Sequence, residues 1–496
     1  MKFNLFSTLY NASLRTHTCG ELRESDIGKA VTLCGWLYNT RVSSSFLLIK
    51  DAYGITQIVQ LRLGLPTCDS VIRVHGIVQS RPPKNINKSM QTGMIEVRAS
   101  KIETLNRASE CIPFKMKERT RLGLRYRYLQ LRQSEFQKRL RFRSEFLRKL
   151  RNYLCEDKGF VDVETPCLFK RTPGGAQEFI VPSQFQGQFY SLPQSPQQFK
   201  QLLMIGGIDR YMQVARCFRD EISRPDRQPE FTQLDIEASF ISKEDVYGFV
   251  ESALAYAWPE VCKFNEVTGE LKTPFPRMSY EEAMKRYGSD KPDIRFDMEL
   301  KNSRCGANEE FAFFVVPAGY YPDVPIYKPG IFFLWVENFP LFSINELGNF
   351  ISEHHPFTAP VESEVDLLKT KPASVSDCIK TSGHYDLVCN GQEVGGGSLR
   401  IHQADMQRYV LENILGENVA PLKHLLEALA SGAPPHGGFA LGVDRLTAIL
   451  TNAQTIRDVI AFPKTSEGRD LLSGSPDVVP NTDLDRYFIR VLRDGE

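Results

Sequence analysis

Two arginines stand in sequence contexts that suggest chemistry on phosphate. Arg219 lies in Phe218–Glu221, which a polar loop joins to Arg227–Asp235. Arg445 closes the glycine-rich run Gly437–Arg445, where a helix is predicted to begin. Guanidinium groups stay charged at neutral pH and bind phosphate oxygens in pairs. If the fold brings both arginines to one cavity, they could hold a bent triphosphate at its two ends, which predicts phosphoryl or nucleotidyl chemistry.

The segment around the first arginine is predicted to be a β-hairpin, with strands Cys217–Glu221 and Phe231–Ser239. Alternate residues of a strand share a face, so Arg219 and Glu221 are expected to point the same way, with Phe231 opposite them. This set could bind a nucleotide through its phosphate, an exocyclic amine and the base. The alternative is a surface hairpin with cross-strand ion pairs.

A second polar group follows further along the chain. Asp386 and Glu393 carry carboxylates, which suit a Mg²⁺ ion that bridges phosphates. The glycines at 395–397 would leave room above a substrate, and Arg400 could anchor a small anionic group. The alternative is that these are ordinary solvent-facing charges.

Two shorter segments add polar side chains. Leu192–Gln201 is predicted to open a helix that sets Gln197 and Lys200 one turn apart. His354 and His355 precede a proline. Neighbours on a strand point in opposite directions, so we expect one imidazole to face the site and no shared metal. A core histidine with a satisfied partner is the alternative.

The composition is that of a globular protein with about two to four domains. The chain has 496 residues, 42% hydrophobic and 24% charged, and its apolar runs fall short of the roughly 18 residues that a membrane span needs. The eleven cysteines lack metal-ligand spacing, which indicates a reducing compartment. Residues 115–151 hold 14 Lys/Arg against 3 Asp/Glu. They could form a solvated helix face or a contact zone for a phosphate backbone.

The N-terminal region reads as a small barrel of short strands separated by turns. An oligonucleotide-binding barrel is the most economical prediction for five strands in so short a stretch. A helix with one broad apolar face is predicted over Ser134–Asp157, followed by a strand at Phe160–Thr165. The barrel strands are predicted at Val31–Leu37, Phe46–Lys50, Thr56–Gln60, Ser70–Gln79 and Met94–Lys101.

Taken in order, these segments resemble the motifs of class II aminoacyl-tRNA synthetases, and specifically the bacterial-type, mitochondrial-like aspartyl-tRNA synthetases. Phe218–Asp235 resembles motif 2 and Gly437–Leu450 resembles motif 3. The helix and strand that end at Pro166 resemble motif 1, which forms the dimer interface in the family. The resemblance implies an α+β protein with an N-terminal OB-fold barrel and an antiparallel β-sheet catalytic domain flanked by helices.

The resemblance also divides the chain. Residues 1–15 would be a targeting leader, 16–106 the anticodon-binding barrel and 107–133 a basic linker. The catalytic domain would fill 134–277 and, with a C-terminal extension, 346–496, around a shortened insertion at 278–345. The acid-poor leader indicates the mitochondrial matrix, with the cytoplasm as alternative.

By resemblance, Arg219 and Arg445 are the catalytic residues, holding the α- and γ-phosphates of ATP. Asp386 and Glu393 would hold Mg²⁺. The anticodon of tRNA(Asp) would be read by Arg41, Phe46 and Gln57, although Phe46 could instead be a barrel core residue. The ATP-binding set implied is Arg219, Asp220, Glu221, Gln228, Phe231, Glu393, Gly442, Val443, Asp444 and Arg445, and the L-aspartate set is Ser195, Gln197, Lys200, Arg219, Asp235, His354, His355 and Arg400.

One departure from the family pattern concerns a loop. Gly174 stands where the bacterial pattern has an acid, which puts gating by that loop in question, and Glu178 is a candidate to compensate. Two alternatives to an aspartate-specific enzyme remain open. One is an enzyme that also charges tRNA(Asn), and the other is a non-catalytic paralogue that binds RNA through its barrel.

Overall fold

The computed structural model describes residues 14–41, 45–59, 66–113, 123–172, 175–221, 224–296, 299–304, 310–314, 328–361, 365, 368 and 383–492. The chain forms two compact units, one within residues 1–138 and 470–473 and the other within 139–469 and 474–496. Most of the predicted leader and the loop position Gly174 lie outside the described residues.

The first unit contains a closed five-stranded barrel with strand order β1-β2-β3-β5-β4. Leu33, Leu47, Ile49 and Ile58 fill its interior. The predicted barrel is therefore confirmed, with small shifts at the strand ends. The strands are β1 (Ala30–Arg41), β2 (Phe46–Lys50), β3 (Ile55–Val59), β4 (Val71–Ser80) and β5 (Ile95–Asn106).

The register of the barrel decides where Phe46 lies. Side chains alternate between the two faces of a strand, and Leu47 and Ile49 of β2 occupy the core. Phe46 is therefore on the outer face, where it is only half-buried. It lies opposite Arg41 on β1, and Gln57 of β3 lies two positions along on the same face. The core alternative for Phe46 is wrong, and Phe46 and Gln57 share one outer face.

The helices follow in chain order. The predicted helix over 134–157 is confirmed, because a π-helical turn at Tyr153–Asp157 continues α2. No helix within the described ranges has the length and apolarity that crossing a bilayer requires. The helices are α1 (Arg127–Gln130), α2 (Ser134–Asn152), α3 (Gln197–Ile205), α4 (Lys243–Asn265), α5 (Tyr280–Tyr287), α6 (Ala404–Tyr409), α7 (Lys423–Ala430), α8 (Val443–Leu450) and α9 (Asn481–Arg486).

The second unit is built on an eight-stranded sheet with strand order β11-β14-β17-β18-β19-β10-β9-β6. Its pairs are antiparallel except β6 with β9 and β11 with β14. Three two-stranded hairpins accompany it. The predicted α+β architecture of a barrel and a largely antiparallel sheet is confirmed. The strands are β6 (Val161–Asp162), β7 (Ile180–Pro182), β8 (Phe189–Ser191), β9 (Arg210–Phe218), β10 (Glu230–Ser239), β11 (Arg277–Ser279), β12 (Leu300–Arg304), β13 (Glu310–Phe314), β14 (Phe333–Glu337), β15 (Phe342–Ile344), β16 (Phe350–Ser352), β17 (His384–Cys389), β18 (Gln392–Leu399) and β19 (His436–Gly442).

The two faces of this sheet differ in chemistry. On β10, Leu234 and Ile236 pack into the main hydrophobic core together with apolar residues of α2 and α4. Asp235 and Glu237, which alternate with them, point to the other face and are completely buried there. Burying ionised carboxylates is costly unless they are paired, so this alternation marks a polar site on the second face.

Two predicted boundaries are wrong. Strand β9 ends at Phe218, so the alternation argument does not apply to Arg219 and Glu221; instead the amide of Glu221 donates to the carbonyl of Arg219 in a tight turn. Strand β14 falls inside the predicted insertion at 278–345 but belongs to the main sheet. The sequence of β14 lacks the alternation of apolar and polar residues that indicates a strand, because both faces of the strand are buried. Its aromatic residues therefore resemble irregular sequence.

Strands β18 and β19 approach closely at Gly397. A Cβ placed there would lie 2.0 Å from the carbonyl oxygen of Gly438 and 2.9 Å from the Tyr385 ring. We expect Gly397→Ala to lower the free energy of unfolding by about 1–3 kcal/mol, because backbone must move to admit the methyl group. Urea denaturation measures this change. Gly248→Ala is the matched control, because Gly248 is an exposed position of α4 where a Cβ would meet nothing within 4 Å, so the change should be neutral or stabilising. Equal effects of the two substitutions would contradict the prediction.

Candidate active site

A cavity of about 570 Å³ opens on the polar face of the sheet. Both Arg219 and Arg445 line it, so the convergence that the sequence required is present. Asp220 and Val443 do not line it, because Asp220 is exposed and Val443 is part of the hydrophobic core. The other predicted catalytic-domain residues that it brings together are Ser195, Gln197, Lys200, Glu221, Gln228, Phe231, Asp235, His354, His355, Asp386, Glu393, Arg400, Gly442 and Asp444.

Arg219 and Phe231 form one wall of the cavity. The Arg219 guanidinium carbon lies 5.2 Å from the centroid of the Phe231 ring, in cation–π range. Its buried Nε has no hydrogen-bond partner among the residues that the structure describes. A buried charged donor without a partner is costly, so this atom is suited to an anionic ligand.

Arg445 projects from the first turn of α8. Its Nη1 donates to the carbonyl oxygen of Glu393 at 2.5 Å, and its Nη2 lies 3.3 Å from Asp226 Oδ2. The second contact is at the surface, where ion pairs contribute little. The guanidinium is therefore held from one side and can exchange its surface partner for a ligand.

A buried network of two cations and two carboxylates forms the floor. Lys200 Nζ lies 3.2 Å from Asp235 Oδ1 and 3.2 Å from Glu237 Oε2. The guanidinium of Arg400 donates to both oxygens of Glu237, from Nε at 2.9 Å and from Nη2 at 3.2 Å. Glu237 thus holds Lys200 and Arg400 beside each other. Burial would raise the pKa of Glu237, but Arg400 and Lys200 outweigh it and lower that pKa to about 2.

Sequence reasoning missed Glu237. The available signal was the alternation Gln233, Asp235, Glu237 along β10, which continues the polar face one step deeper. Burial raises the pKa of Asp235, against the opposing effect of Lys200. The second oxygen of Asp235, Oδ2, is buried and accepts no hydrogen bond within the described part of the chain. This oxygen can therefore accept a hydrogen bond from a bound ligand.

Three histidines lie along another wall. The rings of His354 and His384 stack with centroids 3.3 Å apart, and His384 Nε2 lies 2.9 Å from Asp386 Oδ1. Burial lowers the pKa of His354 and of His384 to about 3, so both rings are neutral. His355 Nε2 lies 2.7 Å from Arg400 Nη1 and accepts from it. The expectation that one of the adjacent histidines would face the site is wrong, because both line the cavity.

Asp386 and Glu393 have the chemistry that a magnesium site requires. Burial raises the pKa of Asp386 to about 6 and raises that of Glu393 as well. A bound cation would stabilise the ionised form of both carboxylates. Within the described residues no group of three or more His, Cys, Asp or Glu could hold a metal by itself. Two carboxylates fit Mg²⁺ that takes its remaining ligands from water and substrate phosphates, which is its usual mode in nucleotide sites.

The comparisons with known proteins agree with this geometry. The family model for class II tRNA synthetases (D, K and N) matches residues 119–466. The mitochondrial aspartate–tRNA ligase of Rattus norvegicus is 42% identical, over 96% of this chain and 90% of its own length. The chain belongs to the aspartate–tRNA ligase family of class II tRNA synthetases. The resemblance found in the sequence is confirmed.

Two further relatives of this synthetase are informative. The aspartate–tRNA(Asp/Asn) ligase of Dictyoglomus turgidum is 38% identical, over 96% of this chain and 98% of its own length. The asparaginyl-tRNA synthetase of Pyrococcus horikoshii, solved with asparaginyl-adenylate, is similar in fold with a TM-score of 0.68 at 22% identity. It covers 90% of this chain and 98% of its own. The predicted OB-fold barrel and class II sheet are thereby confirmed.

Two predicted ATP ligands of the synthetase have other partners. The side-chain amide of Gln228 accepts from the amide of Lys464 at 2.7 Å and donates to its carbonyl at 3.2 Å. Asp444 pairs with Arg143 of α2 and accepts from the amide of Thr232 at 2.8 Å. Asp444 therefore ties the motif 1 helix and the motif 2 strand to the motif 3 helix.

The Arg143–Asp444 pair is mostly buried. We expect Asp444→Ala to lower the free energy of unfolding by about 3–5 kcal/mol, because Arg143 would keep a buried charge without its partner. Thermal or urea denaturation measures the loss. Asp226→Ala removes an exposed carboxylate that pairs with Arg445 and should cost at most about 1 kcal/mol. Unchanged stability of Asp444→Ala would show that the pair does not carry this structural role.

Proposed function

We propose that this synthetase attaches L-aspartate to tRNA(Asp) through an aspartyl-adenylate, with ATP as the second substrate, in mitochondrial protein synthesis. The observation that carries the proposal is a set of unpartnered polar atoms around one cavity. Asp235 Oδ2 is an acceptor, and Gln197 Nε2 and Arg219 Nε are donors, each buried without a partner in the described residues. An α-amino acid offers an ammonium to the first and a carboxylate to the other two.

The cationic floor gives a reason for aspartate over asparagine. Lys200 and Arg400 are buried side by side, and Glu237 fixes both. A substrate side-chain carboxylate would form charge-assisted contacts with both cations, whereas a neutral amide would form weaker ones. Arg400 therefore acts in specificity, and Glu237 acts by positioning it.

The activation step follows from positioning and electrostatics. The α-carboxylate of aspartate attacks the α-phosphorus of ATP in line, the bond to the β-phosphate oxygen breaks, and pyrophosphate leaves. Arg219 would contact the α-phosphate and Arg445 the γ-phosphate. Both would stabilise the negative charge that develops in the transition state. Mg²⁺ held by Asp386 and Glu393 would neutralise phosphate charge when bound. The 3′-terminal ribose of tRNA then accepts the aspartyl group and AMP is released.

The barrel is the proposed anticodon reader. Phe46 offers an outward aromatic surface for base stacking, on the same strand face as Gln57, and Arg41 is its register partner on β1. Gln57 Nε2 already donates to Glu96 Oε2 at 2.8 Å, which fixes its orientation. The motif 1 region, α2 with β6, is the proposed homodimer interface, and Val161 of β6 is exposed as such an interface requires.

The compartment is inferred from relatives. Aspartate–tRNA ligases named as mitochondrial match 96% of this chain, which favours a mitochondrial enzyme, and the acid-poor start of the sequence favours the matrix. The alignment with the rat protein runs over 597 positions, more than the 496 residues of this chain. The relative therefore holds residues that this chain lacks, which supports a shortened insertion.

A second candidate is the same reaction on both tRNA(Asp) and tRNA(Asn), because one relative carries that double name. The decisive experiment is exchange of labelled pyrophosphate into ATP with each of the twenty amino acids, followed by charging of both purified tRNAs. Exchange with aspartate alone supports the proposal, and exchange with none would support the non-catalytic alternative. Charging of tRNA(Asn) would select the second candidate.

Arg400→Leu should abolish aspartate activation. Loss of the side-chain clamp is expected to lower aspartate-dependent exchange by roughly 10²–10⁴-fold, since a buried charged contact contributes about 3–5 kcal/mol. Binding of an ATP analogue should change less than about twofold. Arg408→Leu is the control, because Arg408 is an exposed partner of Glu412. Unchanged exchange in Arg400→Leu would refute its role.

Phe46→Ala should impair tRNA use and leave adenylate formation unchanged. Removal of one stacking surface costs about 1–3 kcal/mol, which corresponds to a rise of about 5- to 150-fold in KM for tRNA. Ile77→Ala, which also truncates an exposed apolar side chain of the barrel, should leave KM near wild type. A defect in pyrophosphate exchange for Phe46→Ala would contradict the proposed role of the barrel in anticodon binding.

A further inference from the structure

Lys291 lines the cavity but lies outside every predicted motif and every predicted set of site residues. It follows α5, in the region predicted to be an insertion. Its Nζ lies 2.6 Å from Asp290 Oδ2 and 3.6 Å from Glu393 Oε2. Its side chain is about one-third exposed. A lysine in this position places a positive charge beside one of the proposed magnesium ligands.

The turn that carries Lys291 is positioned by its close approach to the turn between β17 and β18. Gly391 joins β17 to β18 with φ +78°, and a Cβ there would lie 3.0 Å from the Cβ of Asp293. Glycine alone adopts this conformation without strain and leaves the space that Asp293 occupies. The carboxylate of Asp293 also pairs with Arg295, and the amide of Lys291 donates to Ser289 Oγ at 3.1 Å. The turn that carries Lys291 is therefore held against the hairpin that carries Glu393.

The charges around Lys291 indicate what it could bind. Burial would lower its pKa, but Asp290 and Glu393 outweigh that effect and raise it, so the side chain is a cation. Arg445 donates to the backbone oxygen of Glu393, while Lys291 approaches the carboxylate of the same residue. Two cations from distant parts of the chain thus meet at Glu393. If Arg445 takes the γ-phosphate, the Lys291 ammonium is next to the same polyphosphate.

We propose that Lys291 is an ATP-binding residue that exchanges partners when the nucleotide enters. In the structure its ammonium lies beside the carboxylate of Glu393. With a divalent cation bound, Glu393 would be one of its ligands, and the Lys291 ammonium would turn to the phosphate oxygens of ATP. The inference rests on the proposed function, because it assigns Lys291 to the ATP half of the same site. The alternative is a purely structural lysine that neutralises Asp290 and Glu393.

The test is calorimetric titration with a non-hydrolysable ATP analogue, with and without Mg²⁺. With Mg²⁺, Lys291→Met should weaken analogue binding at least about tenfold, as expected for a lost charge-assisted contact. Lys291→Arg should recover part of the affinity. Without Mg²⁺ the difference between wild type and Lys291→Met should fall below about threefold, because the ammonium then stays on Glu393. Lys285→Met, which removes an exposed charge from α5, is the matched control and should bind as wild type.

The outcomes separate the alternatives. Wild-type affinity of Lys291→Met, or an equal loss of affinity with and without Mg²⁺, overturns the exchange of partners. If Lys291→Met does not fold, Lys291→Arg decides: reduced analogue affinity with Mg²⁺ at wild-type thermal stability supports the proposal, and reduced stability with unchanged affinity assigns a structural role. Failure of the proposed function is distinguishable, because it would abolish aspartate-dependent exchange in the wild type while analogue binding remained measurable.

Discussion

The buried carboxylate of Glu237 is the interaction on which the amino acid pocket depends. Two cations, Lys200 and Arg400, could not lie side by side on the polar face of the sheet without an anion between them, because desolvated like charges repel strongly. Glu237 pairs with both and is itself completely buried. The result is a fixed cationic floor whose geometry is set before any substrate binds. Preorganisation of this kind lets binding energy go into discrimination rather than into ordering side chains.

The sheet makes this arrangement possible by separating its two faces. Leu234 and Ile236 contribute to the core on one side, and Asp235 and Glu237 form the site on the other. Gly397 brings β18 and β19, and Gly438 brings β19 and β10, so close together that an added Cβ would collide with the backbone of the neighbouring strand. At Gly396 an added Cβ would lie 2.4 Å from Asp386 Oδ1, so the absence of a side chain there keeps the cavity open. The same strands thus serve both stability and function. Residues that face the core must be apolar, and the residues between them, which face the cavity, must be polar.

Several features could be predicted from sequence because they depend on short-range pattern. The barrel strands, the helix over 134–157 and the strand–helix unit that carries Arg445 follow from periodicity and turn residues. The motif residues that converge in the cavity were recognisable from their order. The tight turn at Arg219, the sheet strand β14 and the outward position of Phe46 were not correctly predicted, or were left open. Each depends on where a strand ends or which face it buries, and pairing with distant strands decides both.

By itself the sequence determined the family, the reaction class and many of the residues that line the cavity, since family motifs are local and keep their order along the chain. Only the tertiary structure decided what those residues do for one another. It made Asp444 a tie to Arg143, made Gln228 a partner of the Lys464 backbone, and brought Glu237 and Lys291 into a site that no motif assigned to them. These roles arise from contacts between segments far apart in sequence. Such contacts are selected by burial and charge balance in the folded protein, and local residue patterns carry little record of them.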